Sequence, residues 1–177
     1  VVEMALSGKV NKMLAAELIR NGVSAVGISA KDGSTAVCSV MKKLGFVGNP
    51  VKINKKLLEV LMKNGFLPVV SSVGIDKNAN AVNVNADSLA TAIAVAFKAE
   101  KLVFLTDVPG VLDLAKKTIK EIKIKNIDGL IKTNVITGGM IPKINGCKSA
   151  VLKGVKNVFI IDGASGIKKM KGTVIKK

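Results

Sequence analysis

The chain has 177 residues and a formal net charge of +16, from 28 basic and 12 acidic residues, with no His, Trp or Tyr. Without His, Ser-His and Cys-His nucleophilic catalysis is excluded, and the two isolated cysteines, Cys38 and Cys147, argue against a zinc site or a disulfide framework and suit a reducing, cytoplasmic setting. The basic balance invites a nucleic-acid reading, but Arg20 is the sole arginine, the lysines are scattered and no Trp or Tyr can stack on bases, so no nucleic-acid partner is expected.

The sequence opens at Val1 rather than at an initiator Met and shows no signal peptide, so a processed product or a fragment is expected. Val10 to Asn21 carries Val10, Met13, Leu14 and Leu18 at helical spacing, and Asn21-Gly22 ends the run. Ser24 to Ser29 reads as a short buried strand. Lys31-Asp32-Gly33 is turn chemistry, and Thr35 to Val40 begins a hairpin. Lys55 to Asn64 is a helix closed by Gly65, and Phe66 to Val73 is an apolar strand entered through Pro68. Ala86 to Lys98 is an apolar helix. Its longest apolar run, Leu89 to Phe97, is interrupted by Thr91 and bounded by Asp87 and Lys98, far short of a bilayer span, so no membrane partner is expected.

Leu102 to Leu105 is the next strand, Asn126 to Lys132 a short helix, Met140 to Lys153 a longer helix and Val158 to Ile161 a strand, followed by a basic tail from Lys168 to Lys177. Apolar strands alternating with helices predict an α/β fold with a mostly parallel sheet covered on both faces, in one domain with right-handed crossovers.

In such sheets ligands bind beyond the carboxyl ends of the strands, and three loops stand at strand-to-helix junctions. Asn83-Val84-Asn85-Ala86-Asp87 opens the apolar helix. A helix cap explains one of its polar side chains, but not two amides and a carboxylate within five positions. Leu105-Thr106-Asp107-Val108-Pro109-Gly110 reads alone as a tight turn, or as hydroxyl, carboxylate and backbone set beside a nucleotide. Thr137-Gly138-Gly139-Met140-Ile141-Pro142-Lys143 reads from spacing alone as an ordinary Gly-rich loop before a basic helix, or as backbone amides that approach a phosphate at a helix N-terminus, with Lys143 one turn in and Thr137 a candidate cap. It is not a P-loop, because no G-x-x-x-x-G-K-[ST] occurs. Together the loops fit phosphoryl transfer, which needs positioning and positive charge more than an acid–base residue.

These residues resemble a known family. The run Val1 to Met4 through Gly8 to Lys12, the segment Asn64 to Val70, and the motifs NVNAD, LTDVPG and TGGMIPK follow in order the pattern of the N-acetylglutamate kinases, within the amino-acid kinase group. The resemblance implies a three-layer α/β/α sandwich with a mostly parallel central sheet, N-terminally truncated, with 1–85 as the rest of a substrate-binding lobe and 86–177 as a nucleotide-binding lobe. It implies Mg²⁺-dependent transfer of the ATP γ-phosphoryl group to the side-chain carboxylate of N-acetyl-L-glutamate, in a homodimer or larger ring. Acetylaminoadipate kinase and a non-catalytic nucleotide-binding remnant are the alternatives.

By the same resemblance, Lys143 stabilises the transferring phosphate and Asp87 orients the catalytic lysines. Asn83 and Asn85 bind the substrate. Thr106, Asp107, Val108, Pro109, Gly110, Val111 and Leu112, with Val135, Ile136, Thr137, Gly138 and Gly139, bind the nucleotide. The family's Lys-x-Gly-Gly loop, second glycine-rich loop and substrate-binding arginine do not occur here, and the segment between Asp162-Gly163 and Gly172-Thr173 is short. Weak substrate binding and an unsatisfied sheet edge are expected consequences.

Overall fold

The computed structural model describes residues 1–165, 167 and 170–177. Two compact units, Val1–Leu89 and Ala90–Lys177, divide within the helix α3 (Ala86–Ala96). Among the described residues no helix is long and apolar enough to cross a membrane.

In the first unit a π-helical stretch, Met4–Val10, runs into α1 (Asn11–Arg20), which Asn21 and the positive-φ Gly22 end as the sequence predicts. The strands β1 (Ala25–Ser29) and β4 (Leu67–Ser71) pair in parallel, from Ala25↔Leu67 to Ser29↔Ser71. The face of α1 that meets them is not its apolar stripe. Val10, Met13 and Leu14 are 54%, 60% and 52% exposed, whereas Asn11 and Ala15, one turn apart, are buried. Asn11 works as a polar clamp: its Nδ2 donates to the carbonyls of Ile28 in β1 (3.2 Å) and Val69 in β4 (2.8 Å). One turn earlier the hydroxyls of Ser7 and Ser71 meet at 2.7 Å. Lys12 Nζ donates to the Gly27 carbonyl.

The expected strand Phe66 to Val73 is two strands, because Ser72 separates β4 from β5 (Val73–Ile75) and the two join different sheets. The predicted hairpin is β2 (Ala36–Val40) against β3 (Val47–Ile53), with a bulge at Val37/Cys38. With β6 (Ala81–Val84) these strands close a small barrel in the order β2-β3-β6-β5. Ala36, Cys38, Val73, Val82 and Val84 fill it. Burial pushes the Cys38 thiol up from its ordinary range, partly offset by a backbone hydrogen bond from Ile75, so it is a packing group rather than a nucleophile. The helix α2 (Lys56–Lys63) buries Leu58 and stops at the positive-φ Gly65.

The second unit holds β7 (Lys101–Thr106), β8 (Glu121–Lys123), β9 (Asn157–Asp162) and β10 (Gly172–Lys176), in the order β7-β9-β10-β8. The β7/β9 and β8/β10 pairs are parallel and β9/β10 is antiparallel. The helices α4 (Ile127–Lys132) and α5 (Met140–Leu152) lie near their predicted positions. Ile144, Cys147 and Val151 of α5 share one core with Leu102, Phe104, Val158, Ile160 and Ile175. Each such side chain contributes roughly 1.5–3 kcal/mol by leaving water.

The end of the expected basic tail is β10, set between β9 and β8 with Thr173 and Ile175 fully buried. Its alternating β-branched residues outweigh the flanking lysines. Lys168 and Lys169 of that tail lie outside the described residues.

Where α1 crosses β1, a Cβ on Gly27 would collide with the Asn11 side chain. Gly27→Ala is therefore expected to destabilise the protein by about 1–3 kcal/mol in urea denaturation. Gly8→Ala, where a Cβ meets open space, should be neutral or slightly stabilising.

Candidate active site

The first unit supplies the junction between β6 and α3. On β6, Val82 and Val84 point into the barrel and Asn83, between them, points away, only half-buried. Its backbone N–H donates to the Phe46 carbonyl at 2.8 Å, and its neighbours across the ladder are Val47 and Val73. Asn83, Phe46, Val47, Val73, Ala81 and Glu3 line a cleft of about 510 Å³. The Asn83 amide thus stands among Val47, Val73 and Ala81, with Glu3 and Asn80 as further polar groups of the lining. Phe46, 76% exposed at the rim, carried no signal in the sequence that could single it out.

Asn85 accounts for the capping reading: its Oδ1 accepts the Ser88 N–H at 3.0 Å and the Ser88 hydroxyl at 3.3 Å. Capping does not account for Asp87, half-buried in the first turn of α3, where the helix dipole favours a carboxylate. Beside the cleft, the turn from β5 to β6 is held by Asp76, which accepts from the backbone amides of Asn78 and Asn80 and from the Asn80 side chain. The Asn80 side chain foremost holds that carboxyl below its usual range.

In the second unit the parallel register Thr106↔Asp162 ends β7 and β9 at one level. Beyond β7, the Thr106 hydroxyl donates to Asp107 at 3.1 Å and accepts the Val108 N–H at 3.3 Å, which folds the loop back over the strand end. Gly110 has φ +126°, and a Cβ there would strike the Thr173 hydroxyl, so only glycine fits. The same hydroxyl accepts the buried Val111 N–H at 2.8 Å and ties the loop to β10. Past Val111 the chain forms a tight hairpin through Leu112↔Thr118, with Asp113 accepting the Lys117 N–H at 2.8 Å. Asp107 and Pro109 are exposed and Val108 is half-buried, whereas the side chain of Val111 belongs to the core. Asp162, which the sequence reading did not single out, stands beside Thr106, and its Oδ1 accepts the Ala164 N–H at 2.9 Å. The repeated pattern of an apolar strand closing on Asp was its available signal.

The α4–α5 connection buries Ile136 and half-buries Val135, while Thr137, Gly138 and Gly139 are exposed. The N-cap of α5 is Gly139, with no side-chain capping bond, so Thr137 does not cap the helix with its hydroxyl; its carbonyl instead accepts the Met140 N–H at 3.2 Å. A Cβ at Gly138 or Gly139 would meet open space. This leaves room for an anionic group at a helix N-terminus. Lys143, one turn in and half-buried, places its ammonium 5.1 Å from the centroid of the Phe104 ring on β7. Lys143 and the Thr106 loop thus share one end of the second unit. Among the described residues no group of three or more His, Cys, Asp or Glu side chains could hold a metal ion. A Mg²⁺ ion at this end would be held mainly by phosphate oxygens and water, as the ion prefers.

Residues 1–162 match the amino acid kinase family, and the chain belongs to it. It is 60% identical over 177 residues to the acetylglutamate kinase of Endomicrobium trichonymphae, covering all of this chain and 71% of that one. It is 42% identical over 176 residues to the acetylglutamate kinase of Geobacter sulfurreducens, covering 92% of this chain and 60% of the relative. Among solved structures, the smu.665 protein of Streptococcus mutans UA159 superposes with a TM-score of 0.87 at 35% identity, covering 99% of this chain and 70% of that one. The chain thus spans from three-fifths to about seven-tenths of the length of these relatives.

Thr173→Val keeps the shape of the buried side chain but leaves the Val111 N–H unpaired. It should cost about 1–3 kcal/mol of stability in urea denaturation and speed hydrogen exchange at Val111. Thr173→Ser, which keeps the acceptor, should lose much less.

Proposed function

We propose that this protein is an acetylglutamate kinase, transferring the γ-phosphoryl group of ATP to the side-chain carboxylate of N-acetyl-L-glutamate to give N-acetylglutamyl 5-phosphate. The observation that carries the reading is the end of the second unit described above: a helix N-terminus that no side chain caps, open space at Gly138 and Gly139, and Lys143 one turn in. Sequence identity of 60% to an acetylglutamate kinase along the whole chain supports the choice of acceptor.

In this reading the Gly138 and Gly139 backbone meets the phosphates, and the dipole of α5 adds positive potential there. The loop Thr106 to Leu112, with Val135 to Thr137, holds the rest of the nucleotide. A Mg²⁺ ion arriving with ATP would be held mainly by phosphate oxygens and water, and would supply neutralisation of phosphate charge. Lys143 offsets the negative charge that grows on the transferring group. Asn83 in its cleft binds the N-acetyl amide, Asn85 positions α3 by capping it, and Asp87 is the catalytic carboxylate of the first unit. No proton need leave an ionised carboxylate nucleophile, which is why a chain without His can run the reaction. The exposed stripe Val10, Met13 and Leu14 supports self-association into a homodimer or larger ring. A cytoplasmic location agrees with two buried cysteines that form no disulfide.

The test is a phosphoryl-transfer assay with ATP, Mg²⁺ and N-acetylglutamate, trapping the acyl phosphate as its hydroxamate. Lys143→Ala should lower turnover by about 10²–10³-fold while nucleotide binding persists. Asp87→Asn should also cut turnover sharply with the fold intact. If Lys143→Ala turns over at the parental rate, the assigned role fails.

A further inference from the structure

We propose that Asn80 is a specificity-determining residue of the first unit's cleft: its side-chain oxygen, set by Asp76, accepts the amide N–H of an N-acylated substrate. The inference rests on the reading of that cleft given above and names the group that tells an N-acyl amino acid from the corresponding ester.

Asn80 lines the cleft with Asn83 and stands at the end of the turn between β5 and β6. Asp76 ties it down through both backbone and side chain. The Asn80 backbone N–H donates to Asp76 Oδ1 at 2.9 Å, and its carbonyl accepts the Asp76 N–H at 3.0 Å. Asn80 Nδ2 donates to Asp76 Oδ2 at 3.0 Å. An ionised carboxylate only accepts hydrogen bonds, so the nitrogen of the Asn80 amide must face it. Asp76 stays ionised because these donors, the Asn80 side chain foremost, hold its carboxyl below the usual carboxylate range. Within the turn Ala79 keeps φ +62°, a conformation alanine seldom adopts, and its N–H donates to the Asp76 carbonyl at 3.1 Å. With its NH₂ group turned to Asp76, Asn80 offers the cleft an acceptor, Oδ1.

A secondary amide presents one acceptor and one donor. The NH₂ group of Asn83 suits the acyl carbonyl, and Asn80 Oδ1 suits the N–H beside it. Glu3 is the rival acceptor in the lining, with one oxygen 2.7 Å from Lys31 Nζ. Its charge opposes a substrate that carries two carboxylates, whereas an uncharged amide oxygen does not.

The experiment uses the full chain and two ligands, N-acetyl-L-glutamate and the acetate ester of L-2-hydroxyglutarate, in which an oxygen replaces the N–H. Dissociation constants come from NMR titration of the ¹⁵N-labelled protein. The parent should bind the amide about 10-fold more tightly, because the ester sets an oxygen against Asn80 Oδ1. Asn80→Leu should bring the two constants within about 2-fold of each other. Asp76→Asn leaves the cleft lining unaltered. Its Oδ1 can still accept the backbone amides of Asn78 and Asn80, but an NH₂ group replaces the oxygen that met Asn80 Nδ2. The Asn80 amide then turns over and offers the cleft a donor, so the preference for the amide should vanish or reverse. A residue that only shaped the turn would weaken both ligands together and keep their ratio.

Equal binding of the two ligands by the parent, or the parental ratio in either variant, would overturn the proposal. Turnover of N-acetylglutamate by the parent separates the two claims. If it is turned over and the ratios do not respond, the role of Asn80 alone fails. If it neither binds nor is turned over, the reading of the cleft fails and takes that role with it.

Discussion

The parallel ladder from Lys101↔Asn157 to Thr106↔Asp162 is the constraint on which the second unit depends. It brings two strand ends to one level, so that the Thr106 loop and Asp162 leave the sheet side by side. A one-residue slip of either strand would turn its own core side chains, Phe104 on β7 or Ile160 on β9, to the other face, at a cost of several buried side chains. The register is therefore held by the core, and the loops inherit their positions from it. The Thr173 hydroxyl then ties the loop to β10, which is why a buried threonine stands among isoleucines and valines.

Positive charge in this molecule is abundant, but its placement is selective. Most lysines are surface groups, and ion pairs such as Lys176–Glu121 and Lys148–Asp128 are at least partly exposed and worth little individually. Lys143 differs in standing half-buried over an aromatic face near a helix N-terminus. Backbone amides, a helix dipole and one held ammonium form a preorganised positive end, and phosphoryl transfer asks mainly for that.

The alternation of strand and helix was legible because β1, β7 and β9 are continuous apolar runs, α1 and α2 end on Asn-Gly, and α3 opens on the Asn85 cap. The barrel was not. Its strands β5 and β6 are three and four residues long, and Ser72 separates β4 from β5 with no stronger break than a second serine. Lysines on either side disguised β10, although Thr173, Val174 and Ile175 carry the alternation of a strand. At the site, Asn85 as a cap followed from local chemistry, since Ser88 stands three residues on. The placement of Lys143 over Phe104 did not, because the two are far apart in sequence and meet only through packing. Phe46 and Asp162 likewise gain meaning from neighbours that tertiary structure supplies.

The central claim is that the glycines before α5 and the loop after β7 hold one nucleotide. The most direct measurement is an ATP titration, with Mg²⁺ present, followed by amide NMR of the ¹⁵N-labelled chain. The account predicts saturable shifts at Gly138, Gly139 and Thr106 to Leu112, with amides of the β2–β3 hairpin unmoved. Shifts confined to other residues, or no saturable shift at millimolar ATP, would contradict it.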